Sequence, residues 1–221
     1  MTEVMIATRV WRDFQDNPLP GVHKDYLLDA LHPLRLDDKE RFQAALGGQQ
    51  PRMLFVELLR RKHALPSLTN ALPSGPDAAL SALSVAGWQD AVRACGLMYW
   101  SNTLAREVRG PVLAHITQAF GDGWWHWVEL GRSETIGTGP SLPAHTRPDH
   151  PHAWQSTIEK TGQALLGTWQ DGLDADVAAW IKLKTSPASA ETPPPWQIDT
   201  AYGRRLLHRL GTSMIQDPET R

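Results

Sequence analysis

The sequence predicts an all-α protein, a single irregular multi-helix domain with a long proline/glycine-rich loop, and three observations carry that prediction. Large apolar residues recur at helical spacing: Trp88, Val92, Cys95 and Tyr99 stand four, three and four apart, the stripe of a helix with one buried face. No stretch alternates apolar and polar residues in the manner of a half-buried strand. Proline and glycine, 17 of each, punctuate the striped segments as helix starts and stops. No repeat of fixed period is present.

Taken in order, Val4 to Phe14 reads as a short amphipathic helix, ended by Asn17-Pro18-Leu19-Pro20-Gly21. His23 to Leu31 carries Tyr26, Leu27, Ala30 and Leu31 at helical spacing and stops at His32-Pro33. Asp37 is the expected N-cap of a helix through Arg41, Phe42 and Ala45, with Gly47-Gly48 as its stop. Pro51 opens Met53 to His63, where Phe55, Leu58 and Leu59 are expected to face inward. Arg60, Arg61 and Lys62 close that helix, and cations there offset the negative end of the helix dipole. Pro66 to Pro76 is irregular, and a short helix from Asp77 to Val85 leads into the centre of the chain.

The stretch from Trp88 to Gly131 is the expected core. One helix runs from Trp88 until Val108-Arg109-Gly110 closes it; Pro111 then opens a second with Leu113, Ile116 and Phe120 as its stripe. The tight Gly110-Pro111 turn predicts antiparallel packing, with Trp88, Val92, Tyr99, Leu113, Ile116 and Phe120 in one buried cluster. Gly121 and Gly123 interrupt the pattern before Trp124, Trp125 and Trp127. Neighbouring residues of a helix point about 100° apart, so one of the three tryptophans is expected near the surface.

Residues 132–151 hold four prolines and only Ile136 and Leu142 as large aliphatics, which predicts a flexible loop or insert without a core of its own. Trp154, Ile158, Leu165 and Trp169 restart the stripe, with Gly162 as a close-packing position. Gly172 breaks it, and Asp174 caps a further helix containing Val177, Trp180 and Ile181. Residues 185–197 form a proline-rich connector before the last helix, Ile198 to Ile215. There Ile198, Tyr202, Leu206, Leu210 and Met214 sweep one half, while Arg204, Arg205, His208 and Arg209 gather on the other.

Composition narrows the function classes. A chain of 221 residues can bury a core without disulfides or metals. Its single cysteine, Cys95, lies on the apolar helix face and is expected to be a small buried hydrophobe. With 22 basic against 24 acidic side chains and a net charge of −2, no bulk field draws in nucleic acid or anionic lipid. No window approaches the ~20 apolar residues that span a bilayer, and no signal segment opens the chain. The expectation is a soluble protein that stays in the cytoplasm.

His145, Asp149, His150 and His152 are metal-ligating types within eight residues. They lack the i, i+4 spacing of helical metallohydrolases and fall in the loop, so a solvated segment without a metal is the expectation. Asp122, His126, Glu129 and Glu134 could serve as acids and bases, but nothing fixes their mutual geometry. Serine-nucleophile, phosphate-loop and dinucleotide motifs are missing; Gly137-x-Gly139 is followed by proline, not by a helix. No enzyme is expected. The candidate partner-binding residues are Trp124, Trp125 and Trp127 on one segment and Arg204, Arg205, His208 and Arg209 on another.

Tyr26 to Leu36, YLLDALHPLRL, resembles the Tyr-x(n)-His-Pro-x-x-Leu stretch of the K component of bacterial type III secretion systems, the SctK/YscK/OrgA family with its Hrp-type counterparts. The helix with Gly96, the Arg106 to Gly110 junction, Gly121 with its aromatic continuation, and Ile181 to Pro187 are similar to the same family in order and spacing. Two departures stand out: three tryptophans crowd the slot after Gly121, and Lys184 is followed by Thr-Ser-Pro. The resemblance implies a non-catalytic, cofactor-free adaptor of the injectisome sorting platform. Its partners would be the cytoplasmic domain of an SctD-like inner-membrane ring protein and an SctQ-like pod protein. The other classes left open are a small helical metal-dependent enzyme using the histidine-rich loop, and a cytosolic chaperone or regulator of one partner.

Overall fold

The computed structural model describes residues 9, 11–14, 16–31, 49–67, 73–134, 150–185 and 198–216. The helix expected after Asp37 lies outside the described residues, as do 135–149 of the expected loop and 186–197 of the expected connector. The fold is all-α, and every regular element among the described residues is a helix. They run α1 (Lys24–Leu31), α2 (Gln49–Lys62), α3 (Gly75–Ser81), α4 (Val85–Tyr99), α5 (Ser101–Leu104) and α6 (Gly110–Phe120). Then follow α7 (Trp124–Ser133), α8 (Pro151–Gln170), α9 (Ala175–Ile181) and α10 (Thr200–Gln216), with 3-10 turns at Leu19–Gly21 and Lys182–Lys184. No helix among the described residues is long and apolar enough to cross a membrane. Two compact units result: Met1–Ala86 with Leu173–Glu191, and Gly87–Gly172 with Thr192–Arg221.

In the first unit α1 packs on α2. Lys62 Nζ lies 2.8 Å from Asp29 Oδ1, and the Tyr26 ring meets His63 edge-on at 5.1 Å between centroids. Phe55 and Leu59 are buried as expected, whereas Leu58, expected inward, is exposed with Met53 and Leu54. Leu58 and Leu59 point about 100° apart, and only the Leu59 side of α2 is covered. The Asp174 cap is present: its Oδ1 accepts from Asp176 N at 2.9 Å, and α9 buries Val177, Trp180 and Ile181. Trp180 donates its ring N–H to Pro66 O at 2.9 Å. The Lys182–Lys184 turn docks on the chain after Leu19–Gly21, where His23 N donates to Leu183 O at 2.6 Å. That docking carries the Lys184 side chain inside, where Nζ donates to Leu83 O and sits 4.7 Å above the centre of the Phe14 ring.

The second unit is organised by α4 and α8, which cross antiparallel. A methyl group on Gly96 would overlap Ile158 O, and one on Gly162 would overlap Val92 O. The two backbones therefore touch, an approach only glycine permits. On either side of the crossing the tryptophans pair, Trp88 with Trp169 at 6.2 Å and Trp100 with Trp154 at 5.5 Å. As residue numbers rise along α4 their partners fall along α8, which fixes the direction. Trp100 also donates its ring N–H to Thr161 Oγ1 at 2.9 Å. Gly162 thus fulfils the expectation of a close-packing position.

The helix expected to run to Val108-Arg109-Gly110 instead ends at Tyr99, and α5 and a short loop intervene. The break falls at Trp100, at φ −85° and ψ 7°; the loop that follows α5 is held by Glu107, whose side chain is fully buried. Its Oε1 accepts from Val108 N at 3.1 Å and Arg109 N at 2.9 Å, and its two oxygens accept from Arg109 Nε at 2.9 Å and Nη2 at 2.8 Å. Backbone donors that would have extended a helix are taken by the carboxylate, and Pro111 then opens α6.

The stripe of α6 is also phased differently. Val112 and Ile116 are buried, whereas Leu113 and Phe120, expected in the core, are half-buried. The main neighbour of α6 is α8, because the antiparallel partner of α4 is chosen by the glycine crossing and not by the Gly110-Pro111 turn. We expect Phe120→Ala to cost about 1 kcal/mol and Ile116→Ala about 3 kcal/mol in denaturant titrations; equal costs would contradict this phasing.

Gly121, at φ +77°, ends α6 in a conformation that glycine adopts without strain. The segment expected to be a loop from residue 132 is helical at its start, since α7 continues through Arg132 and Ser133. Its last residue, Pro151, already belongs to α8, where the missing N–H of a first-turn proline costs nothing.

Candidate partner-binding surface

In the second unit α10 packs on α8, and its entry is fixed by Asp199, whose Oδ1 accepts from Tyr202 N at 2.9 Å. Tyr202, Leu206, Leu207, Leu210, Met214 and Ile215 are buried, with Gly203 against the Leu165 side chain. Ile198, expected on this stripe, precedes the helix and is half-buried.

The opposite strip of α10 carries Arg204, Arg205 and His208, all exposed. Among the described residues no carboxylate pairs with these three. Arg205 lies with its guanidinium 5.5 Å from the Tyr202 ring centre, a cation–π contact that steadies the side chain while its charge faces water. Arg209 differs from the rest of the basic set. It is partly covered, with Nε 3.5 Å from Glu134 Oε1, and ties α10 to the end of α7.

The tryptophans divide as well. Trp124 is buried and donates its ring N–H to Thr117 Oγ1 at 3.0 Å, so it packs α7 on α6 and contributes no contact area to a partner. Trp125, 38% exposed, stands perpendicular to it at 5.2 Å and donates to Glu129 Oε1 at 3.0 Å. Trp127 is half-buried beside the His126 ring at 5.0 Å. A rigid, partly exposed indole with its N–H already engaged offers apolar contact area at low entropic cost.

No family model matches the chain, and no curated protein and no solved structure matches it either.

The other candidate chemistry is dispersed. Glu129 accepts from Trp125, and Glu134, just past the end of α7, faces Arg209; with Asp122 and His126 they form no cluster of three. His145 and Asp149 lie outside the described residues; His150 is the exposed N-cap of α8, and His152 meets His115 at 4.5 Å between ring centres. Among the described residues no three His, Cys, Asp or Glu side chains gather around one point that could hold a metal ion. Cys95 is free and fully buried, and burial pushes its thiol up, away from the reactive thiolate. Sequence reasoning missed Glu107, Lys184 and the His115 partner of His152. Glu107 and Lys184 stand among other charged and polar residues in the sequence, so nothing local marked them; only His115, between Ala114 and Ile116, was a polar residue on an apolar stretch.

Proposed function

We propose that this protein is a non-catalytic structural adaptor of the cytoplasmic sorting platform of a bacterial type III secretion system. It would link an SctD-like inner-membrane ring protein to an SctQ-like pod protein. In that role it sits at the cytoplasmic face of the inner membrane, held there through protein contacts only, and engages no nucleic acid. The resemblance of Tyr26 to Leu36, the Arg106 to Gly110 junction and Ile181 to Pro187 supports the family. The observation that carries the adaptor reading is α10, a helix docked by its apolar half that holds Arg204, Arg205 and His208 in water. Such a strip steers an acidic partner surface and selects its orientation more than it adds affinity.

Charge reversal tests this, with Arg209 left in place because it faces Glu134. Arg204→Glu with Arg205→Glu should leave the circular dichroism spectrum unchanged and slow capture of the platform subunit about tenfold at low salt, with a smaller effect at high salt. Capture by both subunits at the wild-type rate, in a folded double variant at low ionic strength, removes α10 from the interface.

A further inference from the structure

We infer that His115 and His152 form a two-histidine site for a borderline divalent metal ion such as Zn²⁺, clasping α6 to the first turn of α8. The two residues come from helices that pack together, α6 and α8. Their imidazoles lie 4.5 Å apart between centres and nearly perpendicular, at 77°. His115 is half-buried, and its Nε2 is shut away from solvent without a hydrogen-bond partner. A buried polar atom of that kind is uncommon in a folded protein and calls for a physical reason.

A metal ion supplies one. Imidazole nitrogens bind zinc at about 2.0–2.1 Å, and two on one tetrahedral ion place their ring centres roughly 5 Å apart. The observed separation of 4.5 Å is close to that value, and turning the edge-on pair so that a nitrogen of each ring meets one ion is the movement the site requires. His152 is exposed and His115 half-buried, so the rotation falls to His152. Only two protein ligands are supplied among the described residues, so water must supply the remaining positions once the His152 ring has turned aside from His115 Nε2. Two neutral nitrogens with no carboxylate favour a borderline cation over magnesium or calcium, which require oxygen ligands. The site needs no other part of the histidine-rich segment and does not depend on the adaptor role.

The test uses the full chain and Zn²⁺ alone, followed by calorimetry and thermal melting. Wild type should take up one ion and melt at higher temperature in its presence. His152→Asn and His115→Gln should each lose about tenfold or more in affinity. His150→Ala should bind as wild type, because the His150 side chain makes no capping hydrogen bond and is not part of the pair. His152 is exposed, so its variant reports on binding and not on folding. Cu²⁺ bound to the wild-type chain should show two coordinated imidazole nitrogens by electron paramagnetic resonance, and one in the His152 variant. Zn²⁺ uptake that survives His152→Asn undiminished, or no uptake by wild type, overturns the proposal and leaves the pair as a ring-packing contact.

Discussion

Gly162→Ala should cost the second unit on the order of 3 kcal/mol or more, the largest loss expected of any single methyl group in this chain. The added carbon would overlap the carbonyl oxygen of Val92 and lie 2.7 Å from its carbonyl carbon and 3.2 Å from Gly96 N. All three atoms are backbone, so no rotamer change makes room, and α4 and α8 must move apart as rigid bodies. Separation would loosen Trp88 from Trp169 and Trp100 from Trp154 together, so the loss spreads along the whole crossing.

A second glycine of α8 provides the control. A methyl group on Gly167 would meet nothing within 4 Å, and replacing a mid-helix glycine by alanine is worth roughly 0.5–1 kcal/mol in backbone entropy. Gly167→Ala should therefore be slightly more stable than wild type in the same denaturant titration. If both substitutions behave alike, the crossing is not as close as described.

Much of this was legible because it depends on residues close in sequence. The stripes of α4, α8 and α10, the Asp174 cap and the first-turn prolines are local patterns, and each follows from one turn of helix and its hydrogen bonds. Gly162 could be read as a contact glycine because it interrupts an apolar stripe without breaking it. Phase was less secure. In Gly110–Phe120 both Val112 and Leu113 lie within reach of Ile116's face, and which of them is buried depends on α8, about 40 residues away. The buried charges were illegible for a related reason. Lys184 is placed by Leu83, 101 residues distant, and Glu107 shapes the loop before α6 through hydrogen bonds to Val108 and Arg109 that composition does not reveal. On the candidate surface, the division of α10 into apolar and basic halves was readable, but the Glu134 partner of Arg209 was not. Nor could the sequence decide which of two adjacent tryptophans would be covered.

The stability of the first unit should rise with pH above neutrality, and Lys184 is the reason. Its side chain has no exposed surface, and loss of hydration pushes the ammonium down from an ordinary 10.5 to about 7. The Leu83 carbonyl and the Phe14 ring face recover only part of that hydration. In the unfolded chain the same amine holds its proton to about 10.5. Between these values the unfolded state binds a proton that the folded state does not, so stability climbs with pH by up to about 1.4 kcal/mol per unit. Below about 7 both states are protonated, the slope vanishes, and the cost of burying the charge is complete.

Lys184→Met keeps an unbranched chain in the same space and removes the proton. Wild type should therefore gain about 2–3 kcal/mol relative to this variant between about pH 7.5 and about pH 9.5, because every other titrating group is common to both. The comparison rests on the slope and not on the neutral-pH difference, since the variant also leaves Leu83 O without its donor, a loss of opposite sign. Denaturant midpoints of the two proteins that run parallel across this range would mean that the Lys184 ammonium reaches water in the folded state.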